Sequence, residues 1–222
     1  MPFSGIPFAA LDFYEDLEAD NSKVFWTAHK HIYDEQVKAP LQELAAELVA
    51  EFGQVKFFRP YRDVRFAKDK TPYKDHQGLY FAESRRYLQV SAAGMYVSGG
   101  IYEMAADQLA RYRRAVADEL AGQSLQAAIN AAERCTPLTV GGQRLIRVPS
   151  GYAKDHPRQD LLRHKSMYAT GNFGSPEWLK TKRAKAEIVT AWRGMQPLID
   201  WLDKHVGASD IPVARRGKAT GA

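Results

Sequence analysis

Cysteine is nearly missing from this chain, since Cys135 stands alone. No intrachain disulfide can form, which excludes a disulfide scaffold and suits a reducing compartment. Long apolar runs are missing too. The longest uncharged stretch, Tyr87–Tyr102, contains Gln, Ser and Gly and is shorter than the ~20 apolar residues a spanning helix needs. The first twenty positions have no Lys or Arg but carry Asp12, Glu15, Asp16, Glu18 and Asp20, the wrong sign for a secretory signal. The expectation is a soluble, cytoplasmic protein with no membrane partner. Several chemical signatures are also absent: Gly-x4-Gly-Lys-Ser/Thr, Gly-x-Gly-x-x-Gly, Gly-x-Ser-x-Gly and His-Glu-x-x-His. Phosphate loops, dinucleotide folds, hydrolase elbows and zinc proteases therefore have no support.

What is present is an ordinary globular composition. The chain has 222 residues, 45% of them hydrophobic and 26% charged, and folding at this length removes roughly 70–75% of the unfolded surface from water. One large domain over 1–206 is expected, followed by a small, polar, disordered basic tail over 207–222 that carries Arg215, Arg216 and Lys218. Charge is unevenly spread. Residues 1–55 hold three basic side chains against ten acidic ones, a net of −7, and the remainder holds 28 against 16, a net of +12. Two segments concentrate the excess: Arg59–His76 has six Lys/Arg against three Asp, and Arg144–Lys165 has six against two. Such faces attract phosphates and carboxylates, or else they pack beside the acidic N-terminal helices.

Hydrophobic spacing gives the elements. Phe8–Glu18 reads as a short amphipathic helix. Asp20-Asn21-Ser22 is an N-cap cluster for a second helix reaching Val37. Pro40 interrupts and starts a third helix through Phe52, closed by Gly53. Val55–Phe58 and Val64–Phe66 read as extended, and Leu79–Phe81, Tyr87–Ala93 and Met95–Ile101 form the clearest β region. Gly94 marks a hairpin turn, and Gly99-Gly100 a bulge or a close backbone approach. Helices follow at Ala106–Leu120 and Leu125–Ala132, then a small hairpin over Pro137–Val148 around Gly141-Gly142. Gln159–His164 is a helical turn, and Lys165–Ala169 is extended. Ile188, Trp192, Met195, Ile199, Leu202 and Val206 form a helical core stripe, offset near Gly194 and Pro197. Helix, sheet and helix come in blocks, so the expected class is α+β, with a mostly antiparallel sheet packed by amphipathic helices.

The densest chemistry is Arg62–His76. As a strand, Arg62–Phe66 would put Asp63 and Arg65 on one face and Arg62, Val64 and Phe66 on the other. Arg forks and mobile Lys charges make an anion-site recipe, and the same residues with their neighbouring Asp could be an ion-pair network that fixes a loop. The second cluster runs from Arg147 through Tyr152 and His156 to Lys165, shaped by Pro149, Gly151 and Pro157. His76 and His156 could serve as general acid and base on a phosphoester. A metal site is not expected: His29 and His31 point about 200° apart on a helix, Asp69 and Lys70 would face opposite sides of a strand, and Cys135 has no partner at ligand spacing.

Arg62-Asp-Val-Arg-Phe-Ala-Lys-Asp-Lys-Thr-Pro-Tyr-Lys74 resembles the hallmark of domain-of-unknown-function family 2461, a group of bacterial and fungal proteins. The resemblance continues at Pro149-Ser-Gly-Tyr152, Asp155-His-Pro157, Leu161-Leu162-Arg163 and Lys165, and at Leu109-Ala-Arg-Tyr-Arg113. It covers roughly Phe3 to Val206. Phe25-Trp26 stands where the family tends to show Trp then Phe, and Met104 where proline is common. The resemblance implies one α+β domain and supplies no reaction, cofactor or catalytic residue.

The reading is a protein whose two basic segments converge on a cleft that binds an anionic small molecule or nucleic acid. Arg62, Arg65, Lys68, Lys70, Tyr73 and Lys74 form one wall; Tyr152, His156 and Lys165 form the other. Asp63 and Asp69 orient the cations, and no cofactor is called for. Tyr61, Tyr73, Tyr80 and Tyr87 are available to stack on bases. The alternatives are a metal-independent phosphoesterase using His76 and His156, or a purely structural or interaction domain.

Overall fold

Ala10, Leu11, Phe13, Tyr14 and Leu17 recur at helical spacing, and they are the buried face of α1 (Ala9–Ala19). The structure, a computed structural model, describes residues 2–65 and 67–211. Helix α2 (Lys23–Ile32) starts where the cap cluster indicates, with the Ser22 hydroxyl accepting the Phe25 N–H at 3.1 Å. Pro40 does not break the chain. The helix passes through a π-helical segment, Tyr33–Lys38, directly into α3 (Ala39–Phe52), with Pro40 in the first turn of α3. Two physical reasons favour the wide turn. Proline has no N–H to give the preceding turn, and its ring crowds the carbonyl four residues back. Tyr33, Val37 and Leu41 are all buried, and a spacing of four overshoots the 3.6-residue α-turn, so widening the turn keeps them on one side. Gly53 closes α3 at φ 84°.

The strands are β1 (Val55–Phe57), β2 (His76–Phe81), β3 (Arg86–Ser91), β4 (Gly94–Ile101), β5 (Leu138–Gly141) and β6 (Met167–Gly174). They form an antiparallel sheet in the order β1-β2-β3-β4-β6-β5, and the class is α+β. The first three pairs are consecutive antiparallel neighbours, with Phe57 opposite Leu79, Leu79 opposite Leu88, and Leu88 opposite Val97. Leu88, Val90, Met95 and Val97 are fully buried, as alternation requires on one face. The remaining helices are α4 (Ala106–Ala117), α5 (Glu119–Glu133), α6 (Gln159–Leu162), α7 (Arg183–Gly194) and α8 (Gln196–His205). The core stripe Ile188–Val206 is buried throughout and is divided between α7 and α8.

Two expectations are corrected. No strand forms over 62–65, because Asp63 bonds the Arg65 backbone N–H (3.4 Å) and its guanidinium (2.9 and 2.7 Å), a local alternative to a ladder. Phe66 lies outside the described residues. The Pro137–Val148 hairpin does not form either. After β5 the chain turns to the 163–166 segment, with Gln143 N–H on the Ser166 hydroxyl (2.6 Å), Lys165 N–H on the Gln143 carbonyl (2.7 Å) and a bridge between Arg144 and His164.

The chain groups into two compact units: Met1–Gly99 with Thr170–Arg193, and Gly100–Ala169 with Gly194–Ala222. In the first, Phe52, Phe81 and Trp192 pack edge to face, with ring centres 4.8 and 5.1 Å from the indole. The wholly buried Arg86 donates to the Ser84 carbonyl (3.0 Å) and to the Trp192 carbonyl (2.8 Å) in the last turn of α7, where a cation complements the helix dipole. In the second unit, α5 packs on α8, and α4 on α5, α6 and α8. The tail expected over 207–222 lies, from residue 212, outside the described residues. Its first residues are tied down: Gln108 donates to the Gly207 carbonyl at 2.8 Å, and Asp107 accepts from the Ser209 hydroxyl (2.7 Å) and the Asp210 N–H (2.9 Å).

Three outcomes are expected. Ser22→Ala lowers stability by about 1 kcal/mol through loss of its cap, read as a shift in the urea midpoint. Gly100 has φ +136°, and an added Cβ would meet the Met167 carbonyl oxygen at 2.5 Å. Gly100→Ala therefore costs about 1–3 kcal/mol by the same measurement, and an unchanged midpoint would contradict the close approach. Hydrogen bonds from Ser209, Asp210 and Gln108 hold the Asp107 carboxyl down at about 2. Its stabilisation is complete above the unfolded value and disappears as pH falls through the folded one. The difference in urea midpoint between wild type and Asp107→Asn should therefore be constant above pH ~4 and close towards pH ~2.

Candidate functional site

The helical run α2–π and the chain leaving β1 enclose a pocket of about 300 Å³ in the first unit. Trp26, Lys30, Tyr33, Asp34 and Lys38 come from the helical side, Phe57, Phe58, Arg59, Pro60 and Tyr61 from the strand side, and Gln77 from β2. Trp26, Tyr33 and Gln77 are buried, whereas Lys30, Lys38, Arg59 and Tyr61 are exposed. The pocket therefore has an inner end of aromatic and amide groups and a mouth rich in cations. The π-helical turn contributes Tyr33, Asp34 and Lys38, and such turns recur at functional sites.

Hydrogen bonds fix the inner end. Gln77 Nε2 donates to the carbonyls of Phe58 (2.8 Å) and Gly78 (2.9 Å), and Gln77 Oε1 accepts the Tyr33 hydroxyl at 2.7 Å. Burial first, then Asp34 and Tyr61, push the Tyr33 hydroxyl up to about 12, so it keeps its proton at neutral pH. Tyr73 is stacked on Trp26 with centroids 4.3 Å apart and planes at 10°, which covers one indole face.

At the mouth, Lys30 pairs with Asp34. Among the described residues, Lys38 and Arg59 make no ion pair. Behind the Phe58 wall stand two more cations: the Lys56 and Lys74 ammonium groups lie 5.4 and 5.3 Å from the ring centre, at cation–π distance. Neither makes an ion pair among the described residues. Burial, then the charges of Arg59 and Lys56, lower the Lys74 ammonium below its ordinary value. Four cations without an ion-pair partner among the described residues therefore lie on the pocket wall or against Phe58.

None of the expected ligand residues of the first basic segment lines the pocket. Arg62 is held by Asp69 (2.6 Å) and Thr71 (2.5 Å), Arg65 by Asp63, and Lys70 by the Val64 carbonyl (3.0 Å). Lys68 is exposed. The Arg65 partner keeps Asp63 down at about 2, and Thr71, then Arg62, lower Asp69. The loop is closed by Arg62 N–H on the Pro72 carbonyl (2.8 Å) and Lys74 N–H on the Pro60 carbonyl (2.7 Å). It thereby fixes Pro60 and Tyr61, both of which line the pocket. Asn21 anchors the far side by bonding the Tyr73 backbone at 3.0 and 3.1 Å. His76 Nδ1 bonds Asp75 at 2.6 Å.

The second basic segment belongs to the second unit. His156 Nδ1 accepts the Arg158 N–H at 3.0 Å, so that nitrogen carries no proton and serves the turn. Arg158 donates to the Val116 carbonyl (2.7 Å) and to Glu119 (3.1 Å), and Arg163 to the Leu145 carbonyl (2.8 Å). Tyr152 is half-buried and Lys165 exposed. His164 is buried with Nδ1 on the Ser166 carbonyl at 3.0 Å, and its burial lowers its basicity. No group of three or more metal-ligating side chains occurs among the described residues, and no helix there is long and apolar enough to cross a membrane.

Sequence reasoning missed Trp26, Lys30, Tyr33, Lys38, Arg59 and Gln77. A signal was available at Phe57-Phe58-Arg59-Pro60-Tyr61, where aromatics flank a cation that has no acidic neighbour within three residues.

No curated protein and no solved structure matches this chain. A family model described as a conserved hypothetical protein (DUF2461) matches residues 9–201. That match takes in the pocket, the loop that braces it and most of both units, so the chain belongs to the DUF2461 family.

Proposed function

We propose that this protein binds a small organic anion in the pocket between the α2–π run and β1. Arg59 and Lys38 receive the charged group, and the aromatic walls receive an apolar or planar body. One observation carries the reading: cations without partners among the described residues stand at the mouth of a pocket lined by five aromatic side chains. Small-ligand sites share this composition, with apolar walls and a few polar anchors. A volume of about 300 Å³ suits one small molecule better than a run of nucleotides. In this reading the Arg62–Lys74 loop positions Arg59–Tyr61, and the Asp63 and Asp69 pairs stiffen it.

Titration calorimetry with benzoate and phenyl phosphate is the test, with a single-stranded oligonucleotide as comparison. Both small anions should bind, and added salt should weaken them through screening of the exposed cations. Arg59→Ala and Lys38→Ala should each weaken binding about tenfold or more, the value of a hydrogen bond to a charged group. Arg62→Ala should weaken binding less than Arg59→Ala does, because Arg62 is spent on Asp69 and Thr71 and acts only by positioning the loop. Affinity indifferent to Arg59→Ala, or tighter binding of the oligonucleotide than of either small anion, would overturn the assignment.

A further inference from the structure

The pocket's inner end has a definite hydrogen-bonding sense. Both amide hydrogens of Gln77 are committed to main-chain carbonyls, Phe58 at 2.8 Å and Gly78 at 2.9 Å. Flipping the amide would set its oxygen against those two carbonyl oxygens, so the orientation is fixed. Oε1 must therefore face Tyr33, and the Tyr33 hydroxyl must donate its single proton to it. What remains on these two residues are lone pairs: one set on the Tyr33 oxygen and one on Gln77 Oε1. Trp26, also in the lining, has its Nε1–H buried with no hydrogen-bond partner among the described residues. At the mouth the Asp34 carboxylate is taken up by Lys30, while Arg59 and Lys38 are donors without acceptor capacity.

We infer that the ligand is an anion carrying a hydrogen-bond donor, a hydroxyl or amino group, on the end opposite its charge. The donor meets the Tyr33 and Gln77 oxygens, and the charged end meets Arg59 and Lys38. This rests on the anion-binding reading above and adds the polarity of the guest. An apolar far end leaves those buried lone pairs without a partner, and an acceptor there faces lone pairs directly, which is how polar sites reject near-isosteres.

Calorimetry on the wild-type protein with benzoate, 4-hydroxybenzoate, 4-aminobenzoate and 4-methoxybenzoate tests this. The hydroxy and amino compounds should bind about tenfold more tightly than benzoate, and the methoxy compound no more tightly than benzoate. Gln77→Leu frees the Tyr33 proton to donate, so that variant should turn the preference towards 4-methoxybenzoate. If the variant does not melt cooperatively, the wild-type series decides alone. Equal affinities across the series, with Arg59→Ala still weakening all of them, would overturn the polarity and leave the anion site standing. Failure of every probe to bind would overturn both.

Discussion

The carboxamide of Gln77, 1% exposed, joins three pieces of chain: the π-helical turn through Tyr33, the exit of β1 through the Phe58 carbonyl, and its own strand through Gly78. Each bond is worth about 1 kcal/mol net, and each leaves a buried group stranded at a cost of about 1–3 kcal/mol if broken singly. The arrangement is therefore held as a set. It keeps the helical wall and the strand wall of the pocket at a fixed spacing, and the bracing loop then adds rigidity from outside. Trp26, Tyr33, Tyr61 and Tyr73 form one aromatic cluster, with centroids 4.3–5.9 Å apart between successive rings. The bracing loop contains Tyr73 and holds Tyr61 opposite it through a bridge between the two residues.

Charge follows a simple division. Carboxylates of the acidic N-terminal helices meet later cations in the same unit, Glu47 with Lys185 at 2.8 Å and Glu51 with Arg193 at 2.9 Å. The conspicuous arginines of the Arg62–Lys74 motif are neutralised by their own aspartates. Around the pocket the cations without an ion-pair partner among the described residues are Lys38, Arg59, Lys56 and Lys74. Such groups cost little in solvent and stay available to an incoming anion, whereas exposed pairs already formed contribute little to stability.

Most of the scaffold was legible because it obeys local rules. The Ser22 cap, the Gly53 stop, the alternation of Leu88 and Val90, the close approach at Gly100 and the Ile188–Val206 stripe all follow from side-chain spacing or backbone conformation. The misses share another origin. The Tyr33–Lys38 turn reflects a compromise between Pro40 and the burial of Tyr33, Val37 and Leu41, which periodicity alone does not show. Asp63 chose a neighbour over a strand, and the segment after Gly142 chose a partner twenty residues on. The candidate site was harder still. Sequence displays where cations are dense, but a binding surface depends on which of them lack partners, and that is decided only when aspartates and carbonyls have been brought into place.

Trp26 gives the pocket an optical label of its own. Its indole lines the cavity and lies flat against Tyr73, while the indoles of Trp178, Trp192 and Trp201 line other parts of the fold. An occupant of the cavity changes the surroundings of one emitter among four. Intrinsic fluorescence can therefore follow the cavity filling and emptying in real time, with no dye attached.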